Sequence, residues 1–139
     1  MIARLAVTLG VLVFGALLPI LEIGPTHVFN PDWPPHARLH EVWQLITNST
    51  LAALCLWLVW RRGVVWLPSL IGLCVMGGVL VAHGLEARYG GALLYAGGPT
   101  ASLLGLNLAQ VIPALAVALF GVALAIDRAR PSRRDGRTL

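Results

Sequence analysis

Four long apolar runs separated by short polar links restrict what this chain can fold into. Ile2 to Ile23, Glu41 to Trp60, Val64 to Leu85 and Thr100 to Ile126 are each long enough, as helices rising about 1.5 Å per residue, to cross about 30 Å of hydrocarbon. A composition of 58% apolar and 12% charged residues with a mean hydropathy of +0.80 argues against an ordinary soluble domain. With 139 residues there is room for one compact unit. The expected fold is all-α: an integral membrane four-helix bundle over residues 1–126, followed by a basic tail over 127–139.

The links set the topology. Arg61, Arg62 and Gly63 alone join the second and third runs, so these form a tight antiparallel hairpin. The other two links lie on the opposite side. One is proline-rich with Trp33 as an aromatic anchor, and the other is glycine-rich with Tyr89 and Tyr95, residue types that suit a membrane interface. Pro19 and Pro113 are expected to kink the first and fourth helices.

Every basic side chain is an arginine. Arg4, Arg61, Arg62, Arg128, Arg130, Arg133, Arg134 and Arg137 fall on the side of both termini, against Arg38 and Arg88 on the other. Both termini are therefore expected to be cytoplasmic, with the chain in a bacterial inner membrane. The arginines sit at the ends of apolar runs and form no folded basic face, so nucleic acid is not an expected partner. The apolar start after Met1 is long enough to span and no A-x-A-like cleavage site follows it, so the expectation is a retained first helix and not a signal peptide. Cys55 and Cys74 lie inside apolar runs and set no disulfide framework.

Small residues mark candidate packing faces: Gly10 and Gly15 on the first helix, Gly72, Gly77 and Gly78 on the third, and Ala114, Ala118, Gly121 and Ala125 on the fourth. Such spacing serves packing within one chain or between copies, so a homo-oligomer is compatible with it.

Polar residues collect at one depth. Glu22 ends the first run; His40, Glu41, Gln44 and Asn48 open the second; His83 and Glu86 end the third; Asn107 and Gln110 open the fourth. His40, Gln44 and Asn48 repeat at i, i+4, i+8 and share a helix face. An unpaired amide in hydrocarbon costs on the order of several kcal/mol, so these groups should turn inward and meet. Taken singly, Glu22, Glu86 and Arg88 read equally well as caps or interface anchors. His40, Glu41, Asn48 and His83 together point to function, because ionisable groups within membrane helices are costly. Asn48-Ser49-Thr50 matches a glycosylation sequon but lies within a helix and is read as structural or pocket-lining.

Three chemistries fit such a pocket. Histidine titrates near neutrality and carboxyls in apolar surroundings hold their protons, so His40, His83, Glu41 and Glu86 could pass a proton to and from an apolar substrate. His36 and His40, at i, i+4, share a face if the second helix starts early, and His83-x-x-Glu86 could add two metal ligands. One histidine, His40 for choice, could instead ligate haem, with Gln44 or Asn48 beside a substrate oxygen.

The arrangement Trp33, Arg38, His40 after a proline-rich loop, at the mouth of the second of four helices, resembles the bacterial styrene oxide isomerases. The resemblance implies haem b on His40 as axial ligand, Lewis-acid opening of an epoxide to a carbonyl compound, and Asn48 and Tyr89 near the substrate oxygen. A looser likeness is to the emopamil-binding sterol isomerases, whose residue types His40, Glu41, Trp43, His83, Glu86 and Asn107 repeat here, with no role transferred. The expected function is isomerisation of a small apolar epoxide or alkene delivered from membrane lipid. Its catalytic set would be His40, Glu41, Asn48, His83 and Glu86, in a pocket lined by Trp43, Gln44, Tyr89, Asn107 and Gln110. The rival expectation is a non-enzymatic membrane subunit, binding lipid or a partner, whose polar cluster knits its helices together.

Overall fold

A computed structural model describes residues 1–93, 102–103 and 105–129 of the chain. Four helices there are long and apolar enough to cross a membrane: α1 (Ile2–Glu22), α2 (Pro35–Arg62), α3 (Trp66–Tyr89) and α4 (Leu108–Arg128). A two-stranded antiparallel ribbon, β1 (Ser102–Leu103) and β2 (Leu106–Asn107), precedes α4. The expectations for Tyr95, Thr100 and the tail from residue 130 onward lie outside the described residues.

Proline dictates the shape of α1. Pro19 has no N–H to give to the carbonyl four residues back, which is that of Gly15, and the helix widens into a π-helical turn over Val13–Leu17. The hydroxyl of Ser49 on α2 donates to the freed Gly15 carbonyl at 3.3 Å. This close crossing requires glycine: a Cβ on Gly15 would stand 2.0 Å from the Cβ of Ala52. A neighbouring side chain thus satisfies the backbone that the proline leaves open, as apolar surroundings demand.

Helix boundaries differ from the sequence reading at three places, each for a local reason. α2 starts at Pro35, not Glu41, because Pro34 is extended (φ −61°, ψ 147°) and Pro35 occupies the first turn, where a missing N–H costs nothing. α3 runs on to Tyr89, past the expected Leu85, and stops where Gly90 takes a left-handed conformation (φ 71°). α4 starts at Leu108, not Thr100. Asn107 is its cap, the side-chain oxygen accepting the Ala109 N–H at 2.9 Å, and the preceding residues pair as the ribbon. The hairpin between α2 and α3 closes through Gly63, also left-handed at φ 70°. At this end the Trp60 indole donates to the Thr8 hydroxyl at 3.1 Å, and the Arg62 guanidinium lies 5.5 Å from the Trp57 ring centre.

The core is built around Phe120. Its ring fills the space above two glycines: a Cβ on Gly10 would come within 2.6 Å of it and one on Gly72 within 2.2 Å. Phe14, Val7, Val11 and Met76 surround it, all with no exposed surface. α4 therefore packs along both α1 and α3, whereas α2 leans chiefly on the π-helical turn of α1 and touches α3 little. The small-residue faces are only partly used. Gly10, Gly15 and Gly72 make close contacts, but Gly77, Gly78 and Gly121 have nothing within 4 Å of where a Cβ would stand. Ala114, Ala118 and Ala125 are exposed.

Gly72→Ala should lower the stability of the detergent-solubilised protein by about 1–3 kcal/mol, because the added methyl overpacks the Phe120 ring. Gly77→Ala, in open space, should leave it unchanged or raise it slightly. Thermal melts of the two variants beside the parent check the contrast.

Candidate functional site

The last turn of α3 carries the best-defined polar constellation. His83 and Glu86 are one helical turn apart, and His83 Nδ1 lies 2.8 Å from Glu86 Oε2. After Tyr89 the left-handed Gly90 turns the chain back, so that the Leu93 N–H donates to the same Glu86 oxygen at 3.2 Å. From α4, Gln110 Nε2 approaches His83 Nε2 at 2.9 Å. A carboxylate accepts only, so His83 carries its proton on Nδ1, and Nε2 then accepts from the Gln110 amide. The imidazole is held from both sides in one tautomer.

This constellation opens onto a groove of about 350 Å³ lined by Gln44 of α2, by Val75, Gly78, Val79, Ala82, His83, Glu86 and Tyr89 of α3, and by Ala92 and Leu93. The wall joins the apolar side chains of α3 to a nearly equal share of polar surface, with Gln44, His83, Glu86 and Tyr89 among its lining residues. The groove lies between α2 and α3, which share a tight turn at one end and touch each other little. The Tyr89 hydroxyl donates to the Ala82 carbonyl at 3.0 Å, which lays its ring along the groove.

A second cavity of about 300 Å³ lies along the face of α2 made by His40, Trp43, Gln44, Thr47 and Asn48. His40, Gln44 and Asn48 do share this face, and Gln44 borders both cavities. Asn48 is the buried member, close to the α1 crossing, whereas His40 and Trp43 are exposed. The early start of α2 brings His36 and His40 together, with Nε2 atoms 3.0 Å apart and rings crossed at 88°.

The expected single chamber is thus divided. His83, Glu86, Gln110, Gln44 and Tyr89 meet at the groove, and His40, Trp43 and Asn48 line the adjoining cavity. Glu41, next to His40, turns about 100° away on the helix and stands within electrostatic reach of Glu22. Glu22 belongs to a third group that the sequence reading missed. His27 Nδ1 lies 2.7 Å from Glu22 Oε2 and 2.9 Å from the Thr26 hydroxyl, and the His27 ring stands edge-on to Trp33. The Glu22 oxygen is buried without a well-aligned hydrogen bond. Asn30, fully buried, pins this loop by donating to the Thr26 carbonyl and accepting from the Asp32 N–H. The cue in the sequence was Asn30 and Asp32 flanking Pro31, which is turn chemistry that orients His27 and Trp33.

Asn107 is spent on capping α4 and does not reach the groove. Among the described residues no group of three or more His, Cys, Asp or Glu side chains could enclose a metal ion, so His36 and His40 do not combine with His83 and Glu86 into one centre. Fold and site together define a four-helix protein with a groove lined chiefly by α3 and an oriented His–Glu pair. Comparison finds no family model, no curated protein and no solved structure that matches the chain.

Nitrogen NMR of the protein labelled at histidine should show neutral His83 as the Nδ1–H tautomer, and Glu86→Gln should remove that preference. A His83→Ala, Gln110→Ala cycle should give a coupling of roughly 0.5–1.7 kcal/mol in thermal or denaturant unfolding, the range of hydrogen bonds between membrane helices.

Proposed function

We propose that the chain is an integral membrane isomerase, with both termini cytoplasmic and in a bacterial inner membrane, that takes a small apolar epoxide or alkene sideways from the lipid into the groove between α2 and α3. The observation that carries the reading is His83 held between Glu86 and Gln110 at the wall of the groove. An isomerisation neither gains nor loses protons overall, so one acid–base group that removes a proton from one atom and returns it at another is sufficient. His83 Nε2 is that group. When a substrate displaces the Gln110 amide, this nitrogen faces the substrate, and Glu86 stabilises the imidazolium that forms after proton uptake, as a carboxylate does behind a catalytic histidine. Gln110 and Gln44 supply amides for the substrate's one polar atom, while Val75, Val79 and Ala82 hold its apolar body.

The cytoplasmic placement of the termini is supported by Arg4, Arg61, Arg62 and Arg128, which cluster at the hairpin end, against Arg38 and Arg88 at the groove end. Arg4 reaches the hairpin itself, its guanidinium 3.0 Å from where a Cβ on Gly63 would stand. Haem on His40, the alternative that the family resemblance carries, would need the His40 ring to turn away from His36, whose Nε2 lies 3.0 Å from its own, and no step of the proposed reaction runs through haem. The non-enzymatic reading draws on one specific observation: the His83–Gln110 bond also joins α3 to α4.

With an aryl epoxide and a cyclic alkene as test substrates and products resolved by gas chromatography, His83→Ala and Glu86→Gln should each lower kcat/KM by about 10²–10⁴. Asn107→Ala should cost about 1 kcal/mol of stability and leave the chemistry intact. The purified protein should show no Soret band. Full turnover in His83→Ala would sink the acid–base reading, a Soret band lost in His40→Ala would put haem in its place, and absence of turnover on either substrate class with reduced stability in His83→Ala would favour the helix-knitting role. A reporter fused to the C-terminus checks its side of the membrane.

A further inference from the structure

The first two turns of α2 hold a feature that the proposed reaction does not use. His36 and His40 are both exposed, yet they face each other and not the solvent, with Nε2 atoms 3.0 Å apart and ring centres 4.4 Å apart. Each ring alone could satisfy its nitrogens with water. Instead the two Nε2 atoms meet within hydrogen-bond distance on the exposed side of the helix. Pro34 and Pro35 fix where the helix begins and therefore place both histidines on regular helical backbone, one turn apart. The His40 ring is in turn steadied by Trp43, whose ring centre is 5.8 Å away.

Two imidazoles in this relation form a chelate, and we propose that His36 and His40 bind a divalent first-row transition ion, with water completing the coordination. With metal–nitrogen bonds of about 2.0–2.1 Å, nitrogens 3.0 Å apart subtend roughly 95° at the ion. This is close to the right angle between neighbouring ligands in a square-planar or tetragonal site, the geometry of Cu(II) and Ni(II). A tetrahedral Zn²⁺ would need the nitrogens at roughly 3.3–3.4 Å, so the pair must open slightly to take it. Affinity for nitrogen donors also rises along the series to Cu(II) and falls at Zn(II). In the metal-free pair one Nε2–H donates to the other Nε2. Binding requires only that the donating ring carry its proton on Nδ1 instead, so both histidines stay neutral and no proton need be released. His40 also lines the cavity with Trp43, Gln44, Thr47 and Asn48, so the ion would sit beside it. This site stands apart from the His83–Glu86 constellation and does not depend on the isomerase reading.

The test uses the full chain in detergent, purified without a histidine tag and stripped with a chelator, and titrated with Cu²⁺ and separately with Ni²⁺. The parent protein should bind one Cu²⁺ whose electron paramagnetic resonance spectrum shows coupling to two nitrogens. His36→Ala and His40→Ala should each weaken binding by at least roughly tenfold, because the second imidazole acts at the high local concentration of an intramolecular ligand. His36→Asn, conservative at an exposed position, guards against misfolding and should weaken binding equally with the melting temperature retained. His27→Ala and His83→Gln should bind as the parent does. Equal affinity in the parent and His36→Asn, a single coupled nitrogen, or loss of binding in His27→Ala or His83→Gln would overturn the assignment.

Discussion

The arrangement of this bundle depends on one backbone carbonyl. Pro19 deprives Gly15 of its helical partner, and in a helix surrounded by apolar side chains the orphaned oxygen must find a donor from elsewhere. Ser49 supplies it. Because the donor sits on α2 and the crossing has room for nothing larger than glycine against Ala52, the need for that bond fixes α2 against the π-helical turn of α1. α3 is held independently, through the glycine at position 72 that receives the Phe120 ring of α4. Two helices joined by a three-residue turn are thereby anchored to different neighbours, and the groove lies between Gln44 of the one and the second half of the other.

The chemistry of the groove arises where α3 stops. A histidine one turn before the helix end, a glutamate three residues on, and a left-handed glycine that swings the following N–H back to the glutamate make a unit that needs few contributions from elsewhere. Only Gln110 comes from another helix, and α4 delivers it at that height because Asn107 starts the helix late. Had α4 begun at Thr100, the first turns would have taken the place of the ribbon. The carboxylate behind the imidazole performs two tasks at once, fixing the tautomer and offering a counter-charge to the protonated ring.

Much of the fold was legible because long apolar runs admit few alternatives in hydrocarbon, and the four helices follow from hydropathy alone. Their ends were less legible. Pro34-Pro35 leaves the start of the second helix open in the sequence, since proline at the first helical position is well tolerated, and Gly105 with Asn107 carried a start signal that the surrounding leucines obscured. The polar residues were read by depth, which counting along the sequence does give. Direction around the helix is another coordinate. His40 and Glu41 share a level yet point about 100° apart, so one joins His36 and the other approaches Glu22. His27 was invisible for a different reason: its position depends on a loop whose path is set by the buried Asn30, and periodicity says nothing about loops. Small-residue spacing identified the glycines that accept Phe120 and Ala52 but flagged Gly121 and its alanine neighbours equally, since the pattern records compatibility with contact and not contact itself.

Gly78 lies on the groove wall with empty space where a side chain would project. Enlarging that residue would trim the bore of the chamber without disturbing any packed neighbour. The width of the groove is therefore uncoupled from the integrity of the scaffold, so that a single codon at this position alters the one and leaves the other as it is.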